Sequence, residues 1–293
     1  MTHAHHRPHL ALLADPTSGT RFALIDAHVH LHRHFNLAAV FDHAAANVAR
    51  AAAALRLPAD SFGVLMLTES VGVDRFGELM RCAEQTAETI GPWRVQVCDE
   101  NESLRLSRST QHMLIVIAGR QIVTRERLEV LALGTRRRID DGAPIDETVH
   151  EVRRAGALPV IPWGFGKWTG RRARVMRRLI EGPLSEGLFL GDNGGRPRSA
   201  PTPPLFRQAG DRGVRLLPGT DPLPFAHQQV RAGRYGFMLP LQGDERRPFQ
   251  IIHDLLLAQP GQPPIFGERD GWWAFAAAQV AMQWHNRTRR PRR

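Results

Sequence analysis

Residues 22–31, Phe-Ala-Leu-Ile-Asp-Ala-His-Val-His-Leu, carry the period-two alternation of a β-strand. Phe22, Leu24, Asp26, His28 and His30 are expected on one face, and Ala23, Ile25, Ala27, Val29 and Leu31 on the other. Asn36 then predicts the cap of an alanine-rich helix that runs to Leu57 and closes at Pro58. Residues 61–69 form a second strand, apolar enough for burial on both faces. Residues 73–90 read as a helix stopped by Gly91-Pro92, and shorter strand-like runs follow at 94–98, 112–118 and 128–133. Thereafter helices are expected at 145–155, 171–180 and 204–211, and strands at 157–162, 188–190 and 214–217. Residues 249–284 look like helices broken at Pro260 to Pro264.

Strand–helix units of roughly 30 residues imply a parallel sheet with helices outside. The expected fold class is α/β, a distorted TIM-like (β/α)7-8 barrel with a C-terminal helical extension. Residues 1–20 would be a loose histidine-rich arm and 21–247 the barrel domain. Residues 248–286 would be helices packed on it, and 287–293 a basic tail.

Composition changes this picture little. The chain has 293 residues, and its 42% apolar content supports a large core. No run approaches the ~18 apolar residues of a transmembrane helix. The start lacks the hydrophobic stretch of a secretory signal, so a cytoplasmic location is expected. Cys82 and Cys98 cannot build a disulfide framework. The net charge of +10 is carried by arginine, Lys167 being the only lysine, and it concentrates at 136–138, 171–178 and 287–293. Such clusters attract polyanions, but no nucleic-acid motif accompanies them, so no specific nucleic acid is expected as a partner. The stretch 271–284 with its following arginines could lie on a membrane surface; docking on the barrel is the commoner arrangement.

Candidate chemistry gathers at predicted strand ends, which in such a fold share one rim. They are His28 and His30, Glu69, Gln121, Trp163, Asp192 with Asn193, and Asp221. Two imidazoles and a carboxylate suit a divalent cation, zinc or manganese, with a place left for water. The bland alternative is a chance pair, because nine of the fourteen histidines precede residue 44. Asp221 is a ligand, a proton acceptor or merely a turn aspartate before Pro222; Glu69 is a ligand or the cap of the next helix. Two glycine-rich loops, 164–172 and 191–198, offer Lys167, Arg171 and Arg196 to an anion. Trp163, Asp192 and Asn193 would complete that substrate site.

The order Ile25-Asp-Ala-His28-Val-His30, Leu67-Thr-Glu69-Ser70, Ala118-Gly-Arg-Gln121 and Leu217-Pro-Gly-Thr-Asp221-Pro-Leu223 resembles the polymerase-and-histidinol-phosphatase family, and more distantly the amidohydrolase superfamily. The likeness spans residues 22–240. It implies a barrel with a metal-dependent hydrolytic site, in which His28, His30, Glu69 and Asp221 hold metal and Asp221 and Glu69 serve the catalysis. Gln121, Glu129, Trp163 and Leu223 stand where that family has other ligands, so one metal is implied instead of several. The expected function is hydrolysis of a small anionic phosphate ester or amide by water that a divalent cation activates. The alternative is a non-catalytic ligand-binding protein on the same scaffold.

Overall fold

The computed structural model describes residues 21–85, 89–108, 112–241 and 246–288. The expected arm, with His3, His5, His6 and His9, lies outside the described residues, as does the tail beyond residue 288. The first half contains β1 (Arg21–Val29), α1 (Leu37–Leu55), β2 (Phe62–Leu67), α2 (Arg75–Glu84), β3 (Thr89–Ile90), β4 (Trp93–Val97), β5 (Ser103–Arg108) and β6 (His112–Ile117). The middle adds β7 (Gly119–Val123), β8 (Glu129–Leu133), α3 (Ile145–Arg154), β9 (Leu158–Pro162) and α4 (Gly170–Glu181). It continues through β10 (Phe189–Gly191), α5 (Pro204–Asp211) and β11 (Arg215–Leu216). Last come β12 (Tyr235–Leu241), α6 (Pro248–Ala258), β13 (Ile265–Gly267) and α7 (Trp272–Thr288).

These strands do not close into the expected barrel. They form two sheets, an eight-stranded one in the order β13-β12-β1-β2-β6-β5-β4-β3 and a five-stranded one in the order β11-β10-β9-β8-β7. Among the described strands, parallel ladders are confined to β1-β2-β6 and β9-β10-β11. The connections explain this. Parallel neighbours need a crossover of a dozen or more residues, and α1, α4 and α5 supply it between β1 and β2, β9 and β10, and β10 and β11. Only residues 98–102 join β4 to β5, and only 124–128 join β7 to β8, so these turn back as antiparallel hairpins.

One core lies between the sheets, with Ile25, Val64, Met66, Ile117, Leu133, Val160, Phe189 and Phe237 buried together. A second cluster sits under α1 and α2 around Phe41, Phe76 and Trp93, and a third under α3, α4 and α5. Backbone bonds stitch the sheets at the carboxyl ends of their strands. Ala27 N–H donates to Pro218 and Asp221 N–H to His28, at 3.1 and 2.8 Å. On the other side Glu69 N–H donates to Gly119 and Gln121 N–H to Glu69. Gly119 is obligatory at that seam, because a Cβ there would sit 2.1 Å from the Leu67 carbonyl.

The strict alternation expected for β1 fails at one place. Asp26 pairs with Leu65 and Val29 with Leu67, three residues set against two, which makes a β-bulge. Before it, Ala23, Ile25 and Ala27 enter the core between the sheets; after it, Val29 and Leu31 enter the helix-side cluster. The bulge therefore turns His28 and His30 to the side where the loop after β11 arrives.

Candidate metal centre

His28 Nε2 and His30 Nε2 lie 3.2 Å apart, and Asp221 Oδ1 stands 3.5 and 3.6 Å from them. A tetrahedral ion with bonds of about 2.0–2.1 Å holds its ligand atoms about 3.3 Å apart. The three donors thus already form one face of such a coordination shell. This group could hold a metal ion. Asp221 comes from the opposite sheet to the histidines, so the centre spans the junction of the two.

Local structure holds each ligand in place. The buried Asp26 accepts hydrogen bonds from Thr220 N–H, Thr220 Oγ1, Gly233 N–H and His28 N–H, tying β1 to the loop that presents Asp221. Gly219 has no room for a side chain, since a Cβ would meet His28 N at 2.3 Å. Asp221 itself has φ +50°, a left-handed conformation that aspartate tolerates and that a following proline opposes. Such strain is characteristic of functional positions. Asn193 Nδ2 bridges Asp221 Oδ2 and the Trp163 carbonyl at 3.0 and 2.9 Å.

Electrostatics favour ligation. Burial, with the neighbouring His28 and His32, pushes the His30 imidazole down to about 3, so at neutral pH it presents a lone pair. Burial opposes ionisation of Asp221, but His28, His30, Lys167 and Arg231 outweigh it and hold the carboxyl below its ordinary value. Burial raises Asp26 to about 6, against the pull of its four hydrogen bonds.

The remaining expected site residues divide. Trp163 and Asn193 line a small cleft that opens beside Asp221. Lys167 is ion-paired with Glu129, and its charge still acts on Asp221. Glu69 does not join the metal group. Its Oε1 accepts from Phe76 N–H and its Oε2 from Arg120, both partners arriving with α2 and β7, so it serves as an anchor for α2. Arg196 and Asp192 are both buried and consume each other in a two-pronged ion pair at 2.8 Å, with Tyr235 donating to the same carboxylate. That pairing leaves neither group for a substrate. Arg171 is exposed at the start of α4 and does not line the cleft.

Two residues of the cleft had no signal in the sequence. Arg231 binds Asp270 at 2.6 Å, while its buried Nε has no hydrogen-bond partner among the described residues. Gln228 is buried with an unpartnered Oε1. Gln228 lies in the short 3-10 helix Ala226–Val230 and Arg231 just after it, a stretch too short to show a periodicity. Phe275 of α7 completes the wall and meets Phe165 edge-on, ring centres 5.2 Å apart.

Fold and site together define a two-sheet α/β protein with a His–His–Asp group at the sheet junction. No protein family description matches the chain, and no curated protein does. Among solved structures it is similar to PsfC from Pseudomonas syringae PB-5123, with a TM-score of 0.53 and 12% identity over 92% of this chain and 99% of that one. At that identity the likeness concerns the fold alone. Among the described residues, no helix is long and apolar enough to cross a membrane.

Proposed function

We propose that this protein is a metal-dependent hydrolase holding one divalent cation, zinc or manganese, on His28, His30 and Asp221, and acting on a small anionic phosphate ester or amide. The observation that carries the reading is the triangle of donor atoms at 3.2, 3.5 and 3.6 Å, set at the edge length of a tetrahedral shell. When bound, the cation would lower the pKa of its water toward neutrality and so supply a nucleophile. The chain's own residues would orient and bind. Asn193 holds Asp221, and Trp163, Phe165 and Phe275 give the cleft an aromatic wall. The chain's net charge of +10 favours a substrate bearing an anionic group. The motif order that resembles the polymerase-and-histidinol-phosphatase family supports the same chemistry.

A second reading, a non-catalytic binder, draws on the Glu129–Lys167 ion pair. It fills a position where that resemblance implies a metal ligand. Elemental analysis of the full chain separates the possibilities. About one equivalent of zinc or manganese is expected, retained when His3, His5, His6 and His9 are replaced and lost in His28→Ala/His30→Ala. Turnover of 4-nitrophenyl phosphate or an acyl 4-nitroanilide, abolished by chelation and restored by metal, would support the hydrolase. Ligand binding that chelation does not diminish, with no turnover, would support the binder, and metal loading unchanged in the double variant would overturn the hydrolase.

A further inference from the structure

The two faces of α7 are made differently. Phe275 is 8% exposed and points into the cleft, with Ala278 and Gln279 beside it. Trp273, Val280 and Trp284 are 91%, 68% and 72% exposed. At 100° per residue, positions 273, 280 and 284 fall within a roughly 40° arc, with Ala277 at its margin. The outward face is therefore a continuous apolar stripe, about 16 Å long, with an indole at each end.

Charge says what covers it. From Gly271 to Arg293 the sequence has no acidic residue, and Arg287, Arg289, Arg290, Arg292 and Arg293 follow the second indole. A second copy of the chain would bring the same five cations and a net charge of +10 against its own kind. An anionic lipid surface offers the opposite charge, and its headgroup layer accepts indole rings while aliphatic side chains enter the acyl boundary. We infer that α7 is a peripheral lipid-binding helix, which lays the Trp273–Val280–Trp284 stripe on anionic bilayers. The helix does not span: it lies in the interface, with its other face still roofing the cleft. This inference is independent of the metal centre.

The test is co-sedimentation of the full chain with vesicles of phosphatidylcholine containing roughly one-third phosphatidylglycerol, against pure phosphatidylcholine, in low and physiological salt. Binding is expected to the anionic vesicles alone and to weaken with salt. It should fall by about tenfold or more in Trp273→Ser/Trp284→Ser, whose exposed positions leave folding intact. A thermal melt equal to wild type checks that last point. No pelleting with anionic vesicles would overturn the inference. So would pelleting undiminished in the double variant, which would assign the attraction to the arginines alone. A doubled mass in sedimentation velocity that the double variant abolishes would name a second copy as the occupant, and would also overturn it.

Discussion

Asp26 lies in β1 and His30 just past its end, and burial shifts them in opposite directions. In the unfolded chain they titrate near 6.5 and 3.8; in the fold they stand at about 3 and about 6. His30, depressed, contributes stability that is present above pH 6.5 and is lost as pH falls toward 3. Asp26, raised, contributes stability that is present below pH 3.8 and is lost as pH rises through 6. Between about pH 4 and 6 the folded chain keeps on Asp26 the proton that the unfolded chain keeps on His30, and the two slopes cancel. His30→Gln removes one of them. In metal-free protein its stability relative to wild type should therefore fall as pH rises over that interval, by up to about 1.4 kcal/mol per unit. Urea denaturation in the presence of a chelator measures it; parallel pH profiles for the two proteins would contradict the opposed burial of these groups.

At the scale of elements, local signals were read from the sequence and long-range ones were not. Asn36 was legible as a cap because an amide before an alanine-rich run has one use, and its Oδ1 does accept from Ala39 N–H at 3.1 Å. Asn36→Ala should cost about 1 kcal/mol in thermal or denaturant unfolding while leaving metal content unchanged. The strands at 61–69, 157–162 and 188–190 were visible from their apolar runs and appear as β2, β9 and β10. β7 was not. Its residues Gly119-Arg-Gln-Ile-Val123 carry no clear alternation, and its place depends on partners in β8 and on the seam at Glu69. The helix expected over 73–90 stops at Glu84, and Thr89–Ile90 pairs with β4 instead. The same distinction runs through the site. His28, His30 and Asp221 are readable from residue type at strand ends, whereas nothing in the residue type of Arg196 reveals its buried pairing with Asp192. A sequence displays an arginine but not whether the fold has already used it.

On the scale of the whole molecule, the candidate ligands do more than gather at one point. His28 and His30 belong to the eight-stranded sheet, and Asp221 to the loop leaving the five-stranded one. A cation held by all three would join the sheets, adding to the backbone bonds from Ala27 to Pro218 and from Asp221 to His28. The unfolded chain cannot offer that arrangement, because residues 30 and 221 are then far apart. Binding to the fold alone raises stability by RT ln(1 + [L]/Kd), about 2.7 kcal/mol at a hundredfold excess over Kd. Zinc or manganese added to chelator-treated protein should therefore raise the melting temperature by several degrees (about 2–4 °C per kcal/mol is ordinary for larger domains). Asp221→Asn is the sharper control. It keeps the volume and can keep a bond to Asn193, yet it withdraws the charged oxygen that faces both imidazoles. The rise should shrink to a small fraction in that variant while its metal-free melting temperature moves little. An equal rise in both proteins would mean that the cation binds elsewhere, and the sheets would then be held together by their backbone seams and shared core alone.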